Sequence, residues 1–145
     1  MKKILMKISY CLAIAAFLGA TAAAHAGLAI IAHPSNPIAG ITADEAAKIY
    51  LGKSTSFANG RRVVPVDQRQ GTRSHKKFYK SVVKKDDRAL KSYWSKLLFT
   101  GKAKPPEVIG DDQAVKKWVA EHRNGLGYVD AKVLDRSVKV LLVVP

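Results

Sequence analysis

Hydrophobic positions along this chain change period several times, and each change marks an element. Leu28-Ala29-Ile30-Ile31-Ala32 is an unbroken apolar run that predicts a strand, ended by the extended, proline-containing His33-Pro34-Ser35-Asn36-Pro37. Thr42-Ala43-Asp44-Glu45 has hydroxyl and carboxylate three apart, a capping box, and opens a helix with Ala46, Ile49 and Tyr50 on one face. Gly52 stops that helix, Asn59-Gly60 predicts a turn, and Arg62 to Val66 reads as the next strand. After Gly71 a helix buries Phe78 and Val82, and Lys84 and Lys85 at its end suit the helix dipole. Asp86 or Asp87 caps another helix with the stripe Leu90, Tyr93, Trp94, Leu97 and Leu98, closed by Gly101. Pro105 and Pro106 lead into a short extended piece through Ile109, and Asp111 or Asp112 caps a helix presenting Val115, Trp118 and Val119. Trp94 and Trp118 are both expected to be largely buried. Gly125 to Val129 and Val138 to Val144 read as the closing strands. Strands alternating with helices, then three helices before the sheet resumes, predict an α/β domain with a mixed sheet and helices on its faces.

One segment combines this pattern with chemistry. Val63 to Phe78 reads as a strand, a short polar turn and a helix start. A helix start leaves backbone N–H groups unpaired and carries partial positive charge, which favours an oxyanion. The turn adds the hydroxyls of Thr72 and Ser74, the permissive backbone of Gly71, and cations at Arg69 and Arg73. Two readings follow: Thr72 or Ser74 caps the helix, or these five residues bind phosphate or a similar anion. Ligands in open α/β sheets lie at the carboxyl ends of strands, where this turn falls.

The N-terminal residues change what the composition means. Lys2, Lys3 and Lys7 precede an apolar stretch from Cys11, and Ala24-His25-Ala26 supplies the small-x-small pattern of a cleavage site. Residues 1–26 are expected to be a signal peptide and residues 27–145 the domain, exported into a bacterial periplasm with no stable membrane insertion. Removing the leader takes away the only cysteine and leaves 22 basic against 11 acidic residues. The 119 remaining residues therefore build their core without a disulfide, and one domain of that size can do so.

A net charge of +11 on those residues favours anionic partners. Nucleic acid is not expected, because the cations are spread along the chain and the aromatics do not interleave with them as a stacking platform. Histidines 33, 75 and 122 are far apart with no metal-ligand spacing, and Asp67 reads as a turn or cap residue after its strand. The acidic pairs Asp44-Glu45, Asp86-Asp87 and Asp111-Asp112 sit at helix starts, where the dipole accounts for them. No catalytic residue, metal or cofactor is expected.

The order of these pieces resembles the substrate-binding proteins of phosphate ABC transporters, in the type 2 periplasmic-binding superfamily. The resemblance rests on the strand into Asn36-Pro37, Ile49-Tyr50-Leu51-Gly52-Lys53, Asn59-Gly60 before Val64-Pro65-Val66, the polar turn into Phe78, Tyr93-Trp94 with Phe99-Thr100-Gly101, and Gly125-Leu126-Gly127-Tyr128-Val129. It implies a single periplasmic-binding-protein-like lobe, a mixed sheet flanked by about four helices, where full-length members have two lobes. The family's turn reads Arg-x-Asp-Gly-Ser-Gly-Thr; here Gly71 matches the first glycine, Thr72 the serine and Ser74 the threonine. Arg73 replaces the second glycine, and Gln68 stands at the arginine position with Arg69 beside it. The resemblance implies binding of phosphate or a related inorganic oxyanion at Arg69, Gly71, Thr72, Arg73 and Ser74, with an ABC transporter or sensor protein as partner. The alternative is a non-catalytic interaction module of the same fold that binds a protein partner or an anionic envelope surface without a small ligand.

Overall fold

The computed structural model describes residues 27–145; the expected signal peptide lies outside the described residues. Five strands are formed: β1 (Leu28–Ala32), β2 (Val64–Gln68), β3 (Glu107–Gly110), β4 (Gly125–Asp130) and β5 (Lys139–Val144). Four helices join them: α1 (Ala43–Tyr50), α2 (Arg73–Phe78), α3 (Asp87–Thr100) and α4 (Asp112–Glu121). The sheet order is β3-β2-β4-β1-β5, with β2 parallel to β3 and β4, and β1 antiparallel to β4 and β5. This is the mixed α/β sheet flanked by helices expected from the pattern.

The unbroken apolar run of β1 follows from its covered faces. Leu28, Ile30 and Ala32 pack with α1 residues Ala46, Ile49 and Tyr50 and with Phe78 of α2. Ala29 and Ile31 face the opposite way, against Val115 and Val119 of α4. A strand covered on both sides has no polar face to present. The glycines of Gly125-Leu126-Gly127 admit α4 to the sheet: a Cβ on Gly127 would lie 2.6 Å from Val115, and one on Gly125 2.7 Å from Trp118.

The capping box at Thr42 forms in full, with Glu45 N–H donating to Thr42 Oγ1 and Glu45 Oε2 accepting from Thr42 N–H. Asp86 caps α3 and Asp111 caps α4. The helix begun by α2 widens into a π turn at Tyr79–Val83, and Lys84 ends it in the left-handed region at φ 58°. The piece after Pro106 is a true edge strand, β3, so α3 and α4 are separated by a strand rather than consecutive.

Two expectations about apolar stripes need correction. Trp94 is buried, but Trp118 is only half-buried, stacked on His122 with ring centroids 3.9 Å apart. Leu98 is exposed although it falls on the α3 stripe, because α3 is anchored to the end of α1 through Tyr93 and Trp94 and buries only Trp94. Trp94→Ala is therefore expected to cost about 3 kcal/mol and Trp118→Ala about 1–2 kcal/mol, read from urea midpoints. Equal losses would contradict the packing described.

Candidate functional site

The parallel pair β2 and β4 is bonded only at Val64 with Gly125 and Pro65 with Leu126, and beyond that point the two strands are joined by side chains. Tyr50 Oη donates to the carbonyls of Val66 (2.8 Å) and Leu126 (3.2 Å), and Gln68 Nε2 donates to the carbonyl of Tyr128 (2.9 Å). The chain leaves β2 toward β3 on one side and leaves β4 toward β5 on the other. A crevice between parallel strands at such a switch point is where open α/β sheets place ligands.

The polar turn lies at this crevice, and its residues divide. Gly71 takes φ +92°, the left-handed conformation that glycine permits without strain, and is exposed. Thr72 is the N-cap of α2: its Oγ1 accepts from His75 N–H (3.2 Å) and donates to Gln68 Oε1 (3.0 Å). The cap reading thus holds for Thr72. Ser74 is buried and donates to Asp112 Oδ1 at 2.7 Å. That same oxygen accepts from Gln68 Nε2 (2.7 Å) and from Asp130 N–H (2.9 Å). An internal carboxylate from the first turn of α4 therefore collects three donors in the crevice, a task that sequence reading gave to the helix dipole alone.

Arg73 and Ser74 line a pocket of about 60 Å³ with Lys77, Lys132, Asp130 and the Gly27-Leu28 segment. A volume of that order holds several waters or one small oxyanion. Arg69 is exposed on the turn, outside the lining of this pocket, and its N–H donates to the Gly110 carbonyl (2.8 Å). Of the five expected residues, the fold brings Arg73 and Ser74 into one pocket, uses Thr72 and Gly71 to shape the turn, and leaves Arg69 beside it.

On the other side of β2 lies a groove of about 960 Å³ between the sheet and α3, with Leu90, Trp94 and Val108 on its walls and Asp67 and His75 among its lining residues. Asp67 lies inside β2 and is buried, correcting its reading as a turn or cap residue. Its Oδ2 accepts from Tyr79 Oη (2.5 Å), and its Oδ1 accepts from Tyr128 Oη and from Gln68 N–H (2.8 Å). Burial, and after it the Asp67 charge, push the hydroxyls of Tyr79, Tyr128 and Tyr50 well above the ordinary tyrosine value. All three stay protonated donors at any physiological pH. His75 packs against Tyr79 at 4.6 Å between ring centroids, and its buried Nδ1 makes no hydrogen bond among the described residues. The network was invisible in sequence because its members are 12 and 61 residues apart. The only available signal was a carboxylate directly after an apolar run.

Among the described residues, no group of three or more His, Cys, Asp or Glu side chains is placed to hold a metal ion. No helix among them is long and apolar enough to cross a membrane.

No family model matches the sequence, and no curated protein is similar to it. Solved structures are similar in fold. A protein from Clostridium perfringens, assigned as a phosphate ABC transporter substrate-binding protein and solved with bound phosphate, superposes with a TM-score of 0.64 at 22% identity, covering 79% of this chain and 44% of that one. An ABC-type phosphate transport receptor from Vibrio cholerae gives 0.64 at 19% identity over 79% of this chain and 45% of its own, and PstS from Borrelia burgdorferi gives 0.57 at 14% over 79% and 46%. This chain thus spans less than half the length of each. The likeness is one of fold.

Proposed function

We propose that this domain is an exported, periplasmic and non-catalytic solute-binding module that holds inorganic phosphate or a related oxyanion weakly, in phosphate uptake or sensing alongside an ABC transporter or sensor protein. The observation that carries the reading is the small pocket at the crevice mouth, where Arg73, Lys77 and Lys132 border Ser74. The fold likeness to a protein solved with phosphate supports it. In this reading Gly71 and Thr72 hold the turn in shape, and Arg69 adds attraction at longer range.

Charge-assisted hydrogen bonds contribute roughly 1.5–3 kcal/mol each, against the lost freedom of the ion and its desolvation. An open pocket leaves the anion partly in water and weakens each charge contact. Dissociation constants of about 0.1–10 mM follow, short of the ~µM level equivalent to about −8 kcal/mol. Titrating phosphate while following backbone amide shifts tests this. Shifts confined to the turn and to residues near Asp130, abolished by the exposed-site double variant Arg73→Ala/Lys132→Ala, are the expected result. No localised shift at about 20 mM phosphate, twice the weak end of that range, refutes the site.

A second reading is favoured by one observation: Asp112 already occupies the donors of Ser74, Gln68 and Asp130 N–H. If this carboxylate competes with the ligand, Asp112→Ala tightens phosphate binding by about tenfold or more, since it removes a negative charge and frees donors in one step. The same variant is expected to lose about 2–3 kcal/mol of stability. Should neither the parent nor Asp112→Ala bind phosphate, the domain is a non-catalytic interaction module in which a carboxylate has replaced the ligand.

A further inference from the structure

The end of α3 has a composition that the anion pocket does not explain. Phe99 is 94% exposed and Leu98 55% exposed, the two exposed large apolar side chains on a helix that buries only Trp94. From Arg88 to Pro106 the chain carries five cations, Arg88, Lys91, Lys96, Lys102 and Lys104, and no carboxylate. Lys96, Lys102 and Lys104 are exposed and flank the apolar pair in the last turn and the loop after it. Asp87 stands at the opposite end of α3, roughly 18 Å away along the axis, and Glu107 begins β3.

This tip is held in place. Gly101 takes the left-handed conformation at φ 68°; its N–H donates to the Leu98 carbonyl, and the Lys102 N–H donates to the Leu97 carbonyl. Tyr93 Oη donates to the Leu51 carbonyl at 2.6 Å, tying α3 to the end of α1. Trp94 lies over Gly52, where a Cβ would meet its ring at 3.4 Å and Ala103 at 3.0 Å. The helix therefore projects Leu98 and Phe99 from a fixed base.

We propose that the tip of α3 docks on anionic phospholipid, with Phe99 and Leu98 inserted at the acyl boundary and Lys96, Lys102 and Lys104 at the headgroups. An exposed apolar pair flanked by lysines is the combination by which interfacial helices bind negatively charged bilayers, with apolar burial and electrostatic attraction acting together. Lysine stems cover apolar surface while the ammonium reaches the phosphates. Phe99 is almost wholly exposed at the end of its helix, a position that a deformable lipid interface accommodates, whereas protein hot spots sit in well-packed pockets. The docking is peripheral and reversible, and it is independent of phosphate binding in the crevice pocket.

Vesicle sedimentation tests the proposal with the chain from Gly27 to Pro145, which supplies the whole sheet and both core clusters. The expected result is binding to vesicles of phosphatidylcholine with about one quarter phosphatidylglycerol, none to phosphatidylcholine alone, and release at about 0.5 M salt. Leu98→Ser/Phe99→Ser is expected to lower partitioning by about tenfold or more, ~1.4 kcal/mol. Each of Lys96→Gln, Lys102→Gln and Lys104→Gln is expected to lower it about fivefold. Arg73→Ala/Lys132→Ala leaves vesicle binding intact, which separates the tip from a lipid phosphate caught in the crevice pocket. Since both apolar residues are exposed, the serine variant keeps the parent's melting temperature, so loss of binding is not loss of fold. Failure of the parent to bind anionic vesicles at low salt overturns the proposal, as does full binding by the serine variant. Self-association of the parent that the serine variant abolishes, without vesicle binding, would reassign the tip to a second copy of the chain and also overturn it.

Discussion

Above about pH 10 this domain is expected to lose stability by about 4 kcal/mol per pH unit, enough to unfold it within one or two units. Three tyrosines, Tyr50, Tyr79 and Tyr128, are buried as donors, and burial with the Asp67 charge raises their hydroxyls above the ordinary value. In the unfolded chain each releases its proton near pH 10; in the fold it does not. The stabilisation is complete below pH 10 and is lost as pH rises, because the unfolded state then gives up protons that the folded state must keep. Each group contributes about 1.4 kcal/mol per unit. Deprotonation of lysines acts in the opposite sense in so cationic a chain, by relieving repulsion, so it does not imitate the effect. Tyrosinate absorbance and far-ultraviolet circular dichroism followed together provide the measurement. The expected result is a single steep transition in which buried tyrosines ionise as helix signal disappears. Gradual ionisation of every tyrosine near pH 10 with the helix signal retained would contradict the network.

Asp67→Ala is expected to cost about 3–5 kcal/mol, a large share of the stability of a domain this size. It deprives Tyr79, Tyr128 and the Gln68 N–H of their acceptor, and each buried donor left without a partner costs about 1–3 kcal/mol. Water entering from the adjoining groove recovers part of that loss, which holds the total below a simple sum. Asp67→Asn, which keeps one acceptor oxygen, is expected to cost less. In a Tyr79→Phe/Tyr128→Phe background, Asp67→Ala is expected to be much milder, because the stranded hydroxyls are gone. Urea unfolding of the four proteins completes the cycle. An Asp67→Ala loss below about 1 kcal/mol in the parent background would mean that the network holds little of the fold together.

The sequence made the elements legible wherever the physics is local. Thr42 and Glu45 form their capping box within one turn, and the run Leu28 to Ala32 shows a buried strand through its lack of polar positions. The position of the turn from Arg69 to Ser74, between a strand and a helix, follows from the same short-range pattern. Errors arose where an apolar period outlasted its partner surface. Leu98 continues the α3 stripe in sequence, but α3 packs against the end of α1 through Tyr93 and Trp94, and that contact does not reach Leu98. Trp118 fails for a related reason: its ring lies over Gly125 on the inner side but stacks on exposed His122, which leaves it half-buried.

By itself, then, the sequence determined the α/β class, the capped helices, the cationic surface and the strand-turn-helix at Gly71, since these depend on neighbours within a few residues. The tertiary structure alone decided the partners of the polar groups. Ser74 meets Asp112 from 38 residues away, and Asp67 gathers Tyr79 and Tyr128 from 12 and 61 residues further along the chain. A hydroxyl looks the same in sequence whether it awaits an anion or already serves a carboxylate. Only the divergence of β2 from β4, and the packing of α4 beside the crevice, places that carboxylate within reach.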